Sequence, residues 1–195
     1  MIFFRNVLAS IGAAALALLL VGGARLADVE ERMKDFDPKA RVVYEEMADI
    51  LIETGSAAQA TVWKIAVDEG LTPEDVEEAM KSAAIERNIL DVGELPLYKQ
   101  VEASSGEPYR FVKIYMFCNA LTAKRMIDYD AAFSAYLPCR VTLLEEPDGK
   151  LWLYTLNMDM MIHGGKPLPP DLYEEAVGVR DTILAIMQRG AKGAF

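Results

Sequence analysis

The chain has 195 residues, 52% hydrophobic and 26% charged, which supports one folded domain with its own core and excludes both a disordered chain and two full-sized domains. Its formal net charge of −10 repels phosphate backbones and excludes nucleic acid as the expected partner.

Between Arg5 and Arg25 lie 19 uncharged residues, Asn6 followed by Val7 to Ala24. About 20 apolar residues in a helix span a hydrocarbon core. Residues 1–25 are therefore expected to form one N-terminal transmembrane helix. A cleaved secretory signal is the competing reading. Its apolar core is usually shorter, and Gly22-Gly23-Ala24 offers a small-residue site with Arg25 directly after it. Segment length favours a retained anchor, and no Cys follows the segment to carry a lipid. A short cytoplasmic tail places the remaining chain in the periplasm or outside the cell. The basic residues on either side, Arg5 against Arg25, Arg32, Lys34 and Lys39, do not decide the orientation by themselves.

Residues 26–56 read as a stalk and an extra helix. Asp37-Pro38 predicts a helix start, with an acid at the cap and Pro at the first helical position. Ala40, Val43, Tyr44, Met47, Ile50 and Leu51 follow at helical spacing, and Gly55 ends the run. The remainder, 57–195, is the expected domain. Thr61 to Val67 reads as a strand. Thr72-Pro73-Glu74-Asp75 opens a helix whose buried stripe is Val76, Ala79, Met80, Ala83 and Ala84. Leu95 to Glu102 reads as extended, Ser104 to Pro108 as a turn, and Tyr109 to Phe117 as a strand of aromatic and β-branched residues. Asn119 to Met126 predicts a short helix. Cys139 to Glu145 and Leu151 to Asn157, joined by Pro147-Asp148-Gly149, predict a β-hairpin. Leu172, Ala176, Val179, Ile183 and Ile186 mark a last helix, with Gly190 as its cap. This order fits an α+β fold, a two-layer sandwich of a mostly antiparallel sheet with helices on one face.

Three features give the stretch from about residue 61 to 195 a resemblance to a known family. Tyr115-Met116-Phe117-Cys118-Asn119 ends a strand and opens a helix. Leu137-Pro138-Cys139 leads into a strand running to Glu145-Glu146. Asp148-Gly149-Lys150-Leu151-Trp152 makes an acidic turn and return strand. In order and spacing these features resemble the uncharacterised family called domain of unknown function 302. The resemblance implies a compact α+β sandwich that tends to dimerise, and it implies no activity. The chain departs from the family pattern at Ala120, where Pro is common, and in its anchor and extra helix.

Cys118 and Cys139 are the only cysteines, and three readings of them are open. In an oxidising compartment they pair as a disulfide. With Cys118 at a helix N-terminus, the dipole favours a thiolate and the pair has redox or thiol chemistry, with Asn119 and Tyr115 as site neighbours. As free cysteines they pack as small apolar residues. The run Asn157-Met158-Asp159-Met160-Met161-Ile162-His163 supplies thioether and imidazole groups from Met158, Met160, Met161 and His163, a donor set suited to copper as Cu(I). The bland alternative is gap-filling core. Glu45-Glu46, Glu77-Glu78 and Glu174-Glu175 read as solvated helix-surface charges. No serine-hydrolase elbow, P-loop or Cys-x-x-Cys motif occurs.

Without a complete catalytic set, the chain reads as a membrane-anchored, extracytoplasmic binding or accessory domain, in redox or sulfur metabolism, rather than an enzyme. Thiol or copper handling and the binding of a small apolar ligand are the alternatives. Expected partners are the membrane and either another protein or a second copy of the chain.

Overall fold

The computed structural model describes residues 2–195, with the side chains of residues 2–5, 7–11 and 14 outside that description. The chain opens with α1 (Ile2–Met33). Among the described residues no helix is long and apolar enough to cross a membrane. The membrane span expected over residues 1–25 therefore has no support from them; Met1 and the side chains of residues 2–5, 7–11 and 14 lie outside the description.

The second helix, α2 (Ala40–Thr54), ends as expected at Gly55, which takes a left-handed φ of 67° and donates its N–H to Leu51. Its start differs from expectation. Asp37 does not cap it, because the carboxylate accepts from the backbone N–H of Lys39 at 2.8 Å and faces His163, so the helix begins at Ala40. A short helix, α3 (Ala57–Ala60), leads into β1 (Val62–Ala66). Helix α4 (Pro73–Glu86) carries a full capping box between Thr72 and Asp75, and its buried residues are the five expected.

The region after α4 corrects the sequence reading. The strand is β2 (Leu90–Leu95), and most of the run from Leu95 to Glu102, expected to be extended, belongs instead to helix α5 (Leu97–Ser105). The β2 sequence LDVGEL hides its strand character because it lies at a sheet edge, is mostly exposed, and is bulged between Asp91 and Gly93. The remaining elements are β3 (Val112–Cys118), α6 (Ala120–Tyr129), a 3-10 segment (Ala131–Tyr136), β4 (Cys139–Glu145), β5 (Leu151–Leu156), α7 (Asp159–His163) and α8 (Pro170–Lys192).

The five strands form one antiparallel sheet in the order β1-β5-β4-β3-β2. Side chains alternate across it. Tyr115, Phe117, Val141, Leu143 and Leu153 face the helical layer and are fully buried. Met80 and Val76 of α4 and Ile183, Ile186 and Met187 of α8 meet them there. The opposite face carries Ile114, Met116, Leu144, Trp152, Tyr154 and Leu156, all half-buried. The fold is thus α+β with helices on one face of an antiparallel sheet. Gly190 is not the cap of the last helix. That role belongs to Gly193, at φ 57°. Gly190 is buried where α8 crosses the core, and a Cβ there would lie 2.5 Å from Met80 Cγ and 3.3 Å from Leu153 Cδ1.

A sulfur-lined cavity as candidate functional site

Strand β3 ends at Cys118 because Asn119 turns the chain into α6, its side chain accepting from the Thr122 N–H at 3.2 Å. After α6 and the 3-10 segment, the chain returns through Leu137-Pro138, a cis peptide, and enters β4 at Cys139. In the ladder Phe117 stands opposite Cys139, so Cys118 lies one residue beyond that pair. The two cysteines therefore reach the same end of the sheet, and both are free thiols. Past β5 the chain turns helical rather than continuing as a strand. Met158 precedes α7, and Met161 projects from that helix.

These residues enclose a cavity of about 50 Å³. Cys118, Cys139, Met126, Met158 and Met161 line it, together with Phe133, Tyr136, Ile162 and Val179. Asn119 also lines the cavity, as expected for a site neighbour. Burial pushes the Cys118 thiol up. Burial pushes Cys139 further, to about 11, and the nearby Cys118 adds to the rise. The thiolate expected at the α6 N-terminus is opposed by this desolvation.

Three other candidate residues lie elsewhere. Met160 lines a second, open cleft of about 480 Å³ with Tyr44, Tyr129, Asp130 and Lys166. Phe133, Tyr136 and Met161 border both spaces, so they form the partition between them. His163 is buried away from the sulfurs. Its Nδ1 lies 3.2 Å from Asp37 Oδ2 and its Nε2 3.9 Å from Asp159 Oδ1. Neither ring nitrogen has hydrogen-bond geometry to a partner, and the ring meets Tyr173 edge-on at 5.7 Å. His163 thus meets the chain segment that leads into α2 and does not join the methionines around one point. Burial raises the Asp37 carboxyl, but the Lys39 backbone N–H and the adjacent His163 outweigh it and hold the group below the usual carboxylate range.

Tyr115 does not line the cavity: it faces α4 in the same helical layer, where its hydroxyl donates to Glu77 at 2.8 Å. Glu77 is not a merely solvated charge. It pairs with Lys113 at 2.7 Å and Lys81 at 2.6 Å, and both lysines also pair with Glu94. This four-charge ring clamps α4 to β2 and β3. Its acids and bases alternate and satisfy one another, which makes it structural.

Sequence reading missed Met126, Phe133, Tyr136 and Tyr44. The first three sit between the cysteines in the chain, and helical spacing of Thr122 and Met126 was the available signal. Tyr44 reaches the outer cleft only because α2 folds back onto α7, where its hydroxyl donates to the Gly164 carbonyl at 2.6 Å. Among the described residues no group of three or more His, Cys, Asp or Glu side chains is placed to hold a metal ion.

No match was found among curated protein sequences. A solved structure, the crystal structure of an uncharacterized conserved protein DUF302 from Bacillus stearothermophilus, is similar in fold, with a TM-score of 0.54 and 14% identity over 66% of this chain and 97% of that one. The profile of the family described as "Domain of unknown function DUF302" matches residues 63–190, a span that contains both cysteines and the whole sheet except Val62; the chain belongs to the DUF302 family.

Proposed function

We propose that this protein is a membrane-tethered, extracytoplasmic binding domain whose binding site is the cavity between β3, β4, α6 and α7. The observation carrying this reading is the enclosure of both cysteines and three methionines around one apolar space. A space of about 50 Å³ is far below the roughly 300–1,000 Å³ of ordinary small-molecule sites, so the guest is atom-sized or a few atoms across. The 19 uncharged residues between Arg5 and Arg25 motivate the tether, and the short leading tail motivates the orientation. The half-buried apolar face of the sheet suits a second copy of the chain, in line with the family tendency to dimerise.

Xenon tests the cavity without invoking any chemistry, since apolar cavities bind it. The full chain in detergent, with ¹³C-labelled methionine methyls, is expected to show xenon-dependent shifts at Met126, Met158 and Met161 and none at Met33 or Met47. Ala176→Leu, which fills the space from α8, is expected to abolish them. Absence of any shift in the folded wild-type chain overturns the site. A reporter fused after Phe195 that is active only in the cytoplasm overturns the orientation, and a mature N-terminus near Arg25 overturns the retained anchor.

A further inference from the structure

We propose that the cavity is a coordination site for one soft monovalent metal ion, Cu(I) in its chemistry, held by Cys118 and Cys139 with thioether support from Met158 and Met161. This rests on the binding reading above and names its ligand. Both cysteines of the chain and three of its ten methionines line one small space. They arrive there from the end of β3, the start of β4, helix α6 and the β5–α7 corner, so several elements contribute sulfur to a common centre. Sulfur brought together from distant positions is not what gap-filling requires, because any apolar side chain fills a gap.

The lining discriminates among guests. A buried water needs about two to four polar partners. Of the polar groups at the wall, the Asn119 side-chain oxygen is already accepting from Thr122. Calcium and magnesium require shells of oxygen ligands, and no carboxylate lines the space. Zinc is usually completed by further cysteine, imidazole or carboxylate ligands, and His163, the only histidine, faces Asp37 instead. Thiolate with thioether is the donor set that selects Cu(I). On binding, the S–H bonds of Cys118 and Cys139 break, both protons pass to solvent, and two sulfur–copper bonds form. Copper remains Cu(I) and cysteine keeps its oxidation state. Phe133, Tyr136 and Met161 border both the cavity and the open cleft beside it.

The test uses the full chain in detergent, reduced, titrated with Cu(I) against a coloured Cu(I) chelator. The expected result is withdrawal of one equivalent of copper. Cys118→Ser and Cys139→Ser are each expected to weaken binding by more than about tenfold, since losing a direct ligand costs at least as much as losing an outer partner. Met158→Leu and Met161→Leu weaken it less, and Met160→Leu leaves it unchanged. Methionine methyl spectra confirm that each variant is folded. Failure of the folded wild type to compete for copper overturns the metal site, as does equal weakening by Met160→Leu. Xenon separates the two readings: xenon shifts without copper binding leave the cavity as a binding site and remove the metal, and loss of both removes the binding reading too.

Discussion

At the Glu77 carboxylate two effects oppose each other. Burial raises its pKa, while Lys113, Lys81 and the Tyr115 hydroxyl lower it, and the donors win, taking it to about 2. A depressed folded value means that the unfolded chain binds the proton more tightly. The stabilisation is then fully present above the ordinary glutamate value near 4.5 and is lost as pH falls from there towards 2. Denaturant unfolding of the wild type is expected to show that loss between about pH 5 and about pH 2. Glu77→Gln should flatten the profile and cost about 1–3 kcal/mol at neutral pH, because Lys113 and the buried Tyr115 lose a charged partner. A Gln variant as stable as wild type at neutral pH would show that the ring contributes nothing. Gly190 sets another pair of effects against each other. Alanine should gain about 1 kcal/mol in helix propensity, yet its Cβ would meet Met80 Cγ at 2.5 Å. Overpacking costs about 1–3 kcal/mol, so Gly190→Ala is expected to lower the unfolding midpoint, and to do so less in a Met80→Ala background. A stabilised Gly190→Ala would mean the crossing relaxes freely.

Among the elements, β5 shows how alternation decides energetics. Leu153 is fully buried between α8 and the sheet, while its neighbours Trp152 and Tyr154 point to the half-open face. Leu153→Ala is expected to cost about 2–5 kcal/mol by calorimetry or denaturation. A change of a few tenths would show that the core forms elsewhere. Helix α2 is held differently, by polar ties rather than a wide apolar stripe. Its buried residues are Ala40 and Val43 alone, and the Tyr44 hydroxyl and the Asp37–His163 contact fasten it to α7. Tyr44→Phe should therefore loosen α2, at about 0.5–1.5 kcal/mol for one hydrogen bond, with faster amide exchange across Ala40–Thr54 and unchanged exchange in β4. Equal exchange in both variants would mean the hydroxyl is dispensable. Because Asp37 is held below the usual carboxylate range, this tie is present above that range and weakens as pH falls through it.

In the whole molecule, the family span and the added N-terminal part meet at α7. The DUF302 match begins at residue 63, after α2, but α2 packs against the short helix that supplies Met161 to the cavity. Tyr44 from this added helix also lines the outer cleft. Displacement of α2 is expected to move α7 and with it Met161 at the wall of the cavity. A chain beginning at residue 57 is expected to keep the sheet but to show altered methyl shifts at Met161. Identical shifts in the two chains would separate α2 from the site.

Local chemistry made much of this legible in sequence. Thr72-Pro73-Glu74-Asp75 contains the donors and acceptors of a capping box within four residues, so α4 and its stripe could be read directly. The β4–β5 hairpin and the cap at Asn119 are equally local. Beta-strand β2 was not legible, because a bulged, exposed edge strand lacks the alternation that marks burial. Gly190 was misread as a stop because helix ends and close crossings both select glycine, and only the position of Met80 tells them apart. The Met158 to His163 run suggested one donor set. Folding it as α7 sent Met158 and Met161 to the cysteines, Met160 to the outer cleft and His163 to Asp37. Sequence determined which groups were present and how each segment alternates. Which of them share a centre depended on packing between elements distant in the chain, and no local rule encodes that.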